Sequence, residues 1–286
     1  MFDLIYRFDP DAPRTRTPSS AGAARKRLEE GNREFANLVM PKAGETLAPR
    51  IITLNADALG LAHSDGSPPV QKPFAAVLGC ADARVPIELI FGQAANDLFV
   101  VRVAGNVLGA ECLGSIDYAV TNLGESLKLL VVLGHTGCGA VSAAVRAFME
   151  PHTYLDFATS HPLRAVIERI MVSVRCAHRA LEQVYSQDVE EIPGYADALR
   201  ETTVVLNAAM TAATLREEFH EKIGPQLDVA YGVYNLATRR VKLTLEDEHG
   251  IVVKLAQPPM NGDGFDSLGV LIAGSGMIRR LLGGTA

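Results

Sequence analysis

Two rhythms of apolar residues run along the chain. In the centre, FAAVLG (74–79), DLFVVRVAG (97–105) and LKLLVVLG (127–134) are near-continuous apolar runs of strand length. Between them, VPIELIFG and SIDYAVTNLG carry helical spacing, with Pro86 suited to a first helical turn. GAVSAAVRAFME (139–150) predicts the helix after the third run. Unbroken apolar strands alternating with helices predict an α/β fold: one domain with a mainly parallel central β-sheet flanked by helices.

The flanks follow the helical rhythm. SAGAARKRLEEGNREFANL, from Ser20, sets Ala24, Leu28, Phe35 and Leu38 among charges and predicts an amphipathic N-terminal helical arm. Residues 45–61 read as a second helical or loop segment, and AHSDGSPP (62–69) as a loop. Residues 162–186 and 195–221 predict two long helices, and 227–247 a strand, a turn and a strand. The chain thus divides into a flexible leader (1–19), a folded domain (20–247) and a C-terminal extension (248–286) with a short strand and a helix.

Composition narrows the function classes. With 48% hydrophobic and 21% charged residues among 286, the chain is that of an ordinary globular protein. A net charge of −6 argues against nucleic acid or an anionic membrane as partner. The longest apolar runs fall far short of the roughly 20 residues of a membrane span. The N-terminus shows no apolar secretory segment, so a cytoplasmic location is expected. Four cysteines (Cys80, Cys112, Cys138, Cys176) are too few for a disulfide scaffold, which leaves thiols for packing, metal or catalysis.

Two of those thiols fall at strand ends. Cys80 closes the first central strand, and GHTGCG (134–139) presents His135 and Cys138 at the end of the third. Sites in open parallel sheets form at the carboxyl ends of strands, so the three groups face one edge. Two sulfurs and a nitrogen suit tetrahedral Zn²⁺, with Asp82 or water in the fourth position. Each cysteine alone reads equally as a small buried hydrophobe; the joint placement favours metal. Asp82 and Cys138 are expected at helix starts, where a thiol's pKa falls. Arg84 can pair with Asp82 bidentately and hold it off the metal. The other histidines (His63, His152, His161, His178, His220, His249) are scattered singly and read as surface or packing residues, and Cys112 and Cys176 as buried thiols.

CADARVPIELIF, DLFVVRVAGN, GSIDYAV and VVLGHTGCGAV, in this order and spacing, resemble the β-class carbonic anhydrases. LEEGNREF and AYGVYNLATRRVKL extend the likeness over roughly 24–245. The resemblance implies a carbonate dehydratase that hydrates CO2 reversibly to bicarbonate and a proton by a zinc-bound hydroxide. Cys80, His135 and Cys138 would bind the zinc. Asp82 would be a gate: a metal ligand when closed, hydrogen-bonded to Arg84 when open. Gln71 would hydrogen-bond substrate, and Phe99, Ala104 and Tyr118 would line an apolar CO2 pocket, partly from a neighbouring subunit. A homodimer or larger homo-oligomer is implied, its N-terminal helix embracing the partner, although that helix could equally cover its own sheet.

The sequence departs from the family at Ala83, where serine is usual, at Gly92 (often aspartate) and at Val103 (often asparagine). Val77 stands where some members carry the tryptophan of a regulatory bicarbonate pocket. Two other readings stay open: hydrolysis of a CO2-like substrate such as carbonyl sulfide or carbon disulfide, and a catalytically silent zinc module for assembly or sensing. The Asp82–Arg84 pair counts against the latter, since a structural site needs no gate.

Overall fold

The computed structural model describes residues 3–9, 11–12, 16–39, 48–55, 68–158, 161–224, 227–242 and 254–283. Strands β1 (Leu4–Asp9) and β2 (Arg50–Asn55) form a two-stranded parallel sheet, with α1 (Ala21–Val39) between them in sequence. The central sheet holds β3 (Ala75–Gly79), β4 (Leu98–Arg102), β5 (Leu129–His135) and β6 (Asp228–Tyr234). Helices α2 (Ile87–Phe91), α3 (Ala110–Asn122), α4 (Gly139–Met149), α5 (Leu155–Ala158), α6 (His161–Tyr185) and α7 (Tyr195–Glu218) connect these strands, and α8 (Gly262–Ala273) and α9 (Gly276–Leu281) follow.

Every pairing in the central sheet is parallel, in the order β4-β3-β5-β6. Period-two alternation explains the apolar runs. Ala76, Leu78, Leu130, Val132, Val229 and Val233 point to one face, against α4, α6 and α7. Ala75, Val77, Leu129, Val131, Leu133 and Ala230 point to the other, where α1 supplies Ala24 and Leu28 and α2 supplies Ile87, Ile90 and Phe91. Each fully buried aliphatic side chain contributes about 1.5–3 kcal/mol, so the two-sided core is the main source of stability. Along α6, Ile167, Ile170, Val174, Ala177 and Leu181 make the buried stripe at helical spacing.

The topology places the site. From β3 the chain moves outward to β4, then returns to lay β5 on the other side of β3 and proceeds outward to β6. The carboxyl ends of β3 and β5, where the connections diverge, form the crevice of a topological switch point. Cys80 follows β3 directly, and His135 ends β5.

Four sequence expectations change. The leader expected over 1–19 contains β1; LIYRFD is rich in β-formers and finds a partner in RIITLN. The same pairing makes 50–55 a strand rather than a helix or loop. Asp82 is not at a helix start, because α2 begins only at Ile87; Pro86 is its extended N-cap residue (φ −77°, ψ 94°). Cys138 is the N-cap residue of α4, as expected. In the tail, α8 and α9 replace the single helix, and an antiparallel bridge Tyr231↔Ala256 is the trace of a strand. Where the second strand of 227–247 was expected, the described residues show the bridge Tyr234↔Val241; residues 243–247 of that strand, like 62–67 of the expected loop, lie outside them.

Helix α1 lies on the sheet of its own subunit. Arg25 pairs with Asp228 at 3.0 Å, Arg27 pairs with Asp97 at 2.7 Å, and the Arg27 guanidinium sits 4.3 Å from the Phe74 ring centre. Among the described residues, no helix is long and apolar enough to cross a membrane.

Candidate metal centre

The crevice brings together the three groups expected from sequence. One ligand atom each from Cys80, His135 and Cys138 falls within a set whose members all lie within 4.8 Å of one another, and all three residues are buried. The two sulfurs are 4.0 Å apart. Thiolates sharing a tetrahedral zinc stand about 3.8 Å apart, so the spacing needs almost no change.

The imidazole is oriented for the same purpose. His135 Nδ1 lies 3.0 Å from the Thr136 carbonyl oxygen, which fixes the proton there and leaves Nε2 with a free lone pair. Nε2 is buried with no hydrogen-bond partner among the described residues. An orphaned buried nitrogen facing two thiols is the arrangement a soft or borderline cation satisfies. The two thiols also act on each other across this contact. The hydrogen bond from Cys138 is the largest influence on Cys80 and, despite burial, draws its pKa down to about 4, while that of Cys138 rises. Burial disfavours a charged His135, yet the neighbouring Cys80 sulfur outweighs it and raises its pKa.

Asp82 stands beside the cluster and is held by Arg84. Arg84 Nε donates to Oδ1 at 3.0 Å and Nη2 to Oδ2 at 2.6 Å; the Arg84 backbone N–H adds a third bond to Oδ1 at 2.9 Å. This fork keeps the carboxyl ionised, well below the usual carboxylate range. Asp82 Oδ2 is 3.7 Å from His135 Nε2, at the edge of the cluster.

Other expected residues are less closely gathered. Ala104 opens a 3₁₀ turn, Ala104–Asn106, next to Gly105, whose N–H points to Cys80 Sγ at 3.4 Å. Phe99 and Tyr118 are neighbours, with ring centres 6.4 Å apart, but Tyr118 is 51% exposed. Gln71 is exposed on the approach to β3 and makes no hydrogen bond among the described residues. Cys112 and Cys176 are half-buried rather than fully buried. Gly92 caps α2 in the left-handed region (φ 58°), and an added Cβ would lie 2.3 Å from the Arg50 guanidinium, so no side chain fits there without displacing Arg50.

One supporting residue escaped the sequence reading. Arg102, at the carboxyl end of β4 and in register with Gly79, donates from Nε to the Cys80 carbonyl at 3.1 Å and from Nη2 to the Asp82 carbonyl at 2.6 Å. Its signal was available: a lone arginine ending the strand beside Cys80.

The fold and donor set define an α/β protein with a buried cluster of two cysteines and one histidine, able to hold a metal ion, at a sheet switch point. The carbonic anhydrase family model matches residues 75–241, more than half of the chain, and the chain belongs to that family. Carbonic anhydrase 2 of Mycobacterium tuberculosis (strain CDC 1551 / Oshkosh) is 41% identical over 160 residues, which are 55% of this chain and 66% of that protein. The carbonic anhydrase of Mycolicibacterium smegmatis is 34% identical over 207 residues, 71% of this chain and 90% of that one. The match thus spans just under two thirds of the first relative and most of the second. A Coccomyxa β-carbonic anhydrase solved with acetazolamide is 22% identical, with a TM-score of 0.47 over 79% of this chain and 90% of that one.

Proposed function

We propose that the protein catalyses the reversible hydration of CO2 to bicarbonate and a proton, with Zn²⁺ held by Cys80, His135 and Cys138. The observation that carries this reading is the buried three-donor cluster with its orphaned His135 nitrogen, in a chain of the carbonic anhydrase family. When bound, the cation would supply Lewis acidity, lowering the pKa of water to about 7 so that a nucleophile for CO2 exists at neutral pH.

The chain's own groups then have distinct tasks. Asp82, kept ionised by Arg84, is a pure acceptor at the mouth of the cluster and orients the attacking water by taking its hydrogen. Arg84 acts on Asp82 by denying it a second partner, which keeps the carboxylate from closing the site. Arg102 fixes the backbone of residues 80–82, so the ligand and the gate move as one unit. Phe99, Ala104 and Tyr118 offer apolar surface to an uncharged substrate, and Gln71 is assigned to the oxygens that gain charge.

The test is stopped-flow CO2 hydration by metal-quantified protein. Zinc-replete protein that hydrates CO2 no faster than buffer between pH 7 and pH 9 sinks the proposal, and turnover of carbonyl sulfide alone would replace the substrate. A homo-oligomer belongs to the same reading: β4 is a sheet edge, and Tyr118 needs a cover that a second copy would supply. Light scattering is expected to give at least twice the 30.6 kDa chain mass; a monomer would leave the pocket to one subunit.

A further inference from the structure

Helix α7 is buried around nearly its whole circumference and packs between the sheet, α4 and α6. Two of its polar side chains reach backbone beside the metal ligands. Glu201 is 6% exposed; its Oε1 accepts from the Gly137 N–H at 3.0 Å and from Arg200 Nε at 2.9 Å. Its Oε2 is buried with no partner among the described residues. Asn207, equally deep, donates from Nδ2 to the Gly105 carbonyl at 2.9 Å. Gly105 in turn offers its N–H to Cys80 Sγ.

Each contact falls where a metal centre needs rigidity. Gly137 separates His135 from Cys138 and sits in the left-handed region (φ 64°), so this two-residue link carries both ligands on its most deformable peptide. The rest of the link is already tied: Thr136 N–H donates to the Tyr234 carbonyl, and Thr136 Oγ1 accepts from the Leu236 N–H at 3.0 Å. Glu201 provides the remaining tie. A half-satisfied buried carboxylate is costly in the interior, and packing alone would favour an apolar side chain.

We propose that Glu201 and Asn207 are positioning residues of the metal centre. Glu201 fixes the loop joining His135 to Cys138, and Asn207 fixes the glycine amide that points to the Cys80 sulfur. Groups that orient ligands in this way typically change metal affinity by about 10–100-fold when removed. The inference rests on reading the cluster as a metal centre, and its test separates the two.

Zinc affinity, measured by chelator competition, is expected to fall about tenfold or more in Glu201→Ala and in Asn207→Ala. The thiolate-to-metal absorption of the Co²⁺-loaded protein should shift in both. Glu201→Gln keeps an oxygen acceptor for Gly137 and should restore affinity and spectrum to near wild type. Thermal melting of the metal-free variants reports folding separately; should Glu201→Ala fail to fold, Glu201→Gln and Asn207→Ala decide. Wild-type affinity and spectrum in a folded Glu201→Ala or Asn207→Ala would overturn the assignment, as would Glu201→Gln binding as weakly as Glu201→Ala. A wild-type chain without zinc affinity removes the metal reading and this inference together. Normal zinc binding without CO2 hydration removes only the proposed activity.

Discussion

Cys138→Ser is expected to be purified folded, with about a tenth or less of the wild-type zinc, and to lose CO2 hydration by about 10³-fold. The serine hydroxyl stays protonated at neutral pH and is a poorer donor for zinc than a thiolate. The cluster would then keep one sulfur and one nitrogen around a buried position that needs three strong ligands. Folding is expected to survive for a local reason. Residue 138 is the N-cap of α4, where the cysteine makes no side-chain capping bond, and serine is among the better residues for that place. Its backbone role is also preserved, because the residue 138 carbonyl accepts from both Ser142 N–H and Ser142 Oγ whatever the side chain. Metal analysis, circular dichroism and stopped-flow hydration on the same preparation check the three parts. Full zinc content in the folded variant would show that Cys138 is not a ligand and leave it a small buried hydrophobe.

The clustering of Cys80, His135 and Cys138 was legible in sequence because these groups sit at or just past the ends of apolar runs, and a parallel sheet brings such ends to one edge. Cys80 and His135 needed only the strand boundaries and the inference of parallel pairing. Asp82 was misplaced locally, as a helix-start residue: the helix forms only at Ile87, close to where Pro86 suited a first turn, and Asp82 stays in the turn before it. Its pairing with Arg84 was nevertheless recoverable, since the two side chains are only two positions apart. What stayed hidden joins distant segments. Arg102, Glu201 and Asn207 meet the site through strand order and through helix α7 folding back across the sheet. Arg102 at least ends an apolar strand, whereas nothing in the immediate neighbourhood of Glu201 or Asn207 announces their contacts. The β1–β2 pair was hidden for a related reason: neither short segment is strongly periodic, and only their mutual pairing makes them strands.

The gate supplies the second large effect. Arg84→Ala is expected to retain zinc at wild-type stoichiometry while CO2 hydration falls by about 10²–10³-fold. Arg84 is 61% exposed and touches the site only through Asp82, so its removal should leave the three donors and the core undisturbed. What changes is the fate of the carboxylate. With both guanidinium bonds gone, Asp82 keeps a single backbone N–H partner, and its Oδ2 is already 3.7 Å from His135 Nε2. A cation held by the cluster would then be the strongest partner within reach, and the carboxylate is expected to take the coordination position that water needs. Lysine should rescue only in part, since a point charge can pair with one carboxylate oxygen but cannot reproduce the fork that engages both. Ala83 bears on this balance less than its departure from the family suggests: it is exposed in the turn, and all three bonds that hold Asp82 come from Arg84. Asp82→Ala separates the alternatives further, because it removes the closing ligand and the acceptor at once. If Arg84→Ala is slow because Asp82 closes the site, then adding Asp82→Ala to it should not slow the enzyme further and should return the rate to that of Asp82→Ala alone. A wild-type rate in zinc-replete Arg84→Ala would mean that Asp82 does its work without a latch.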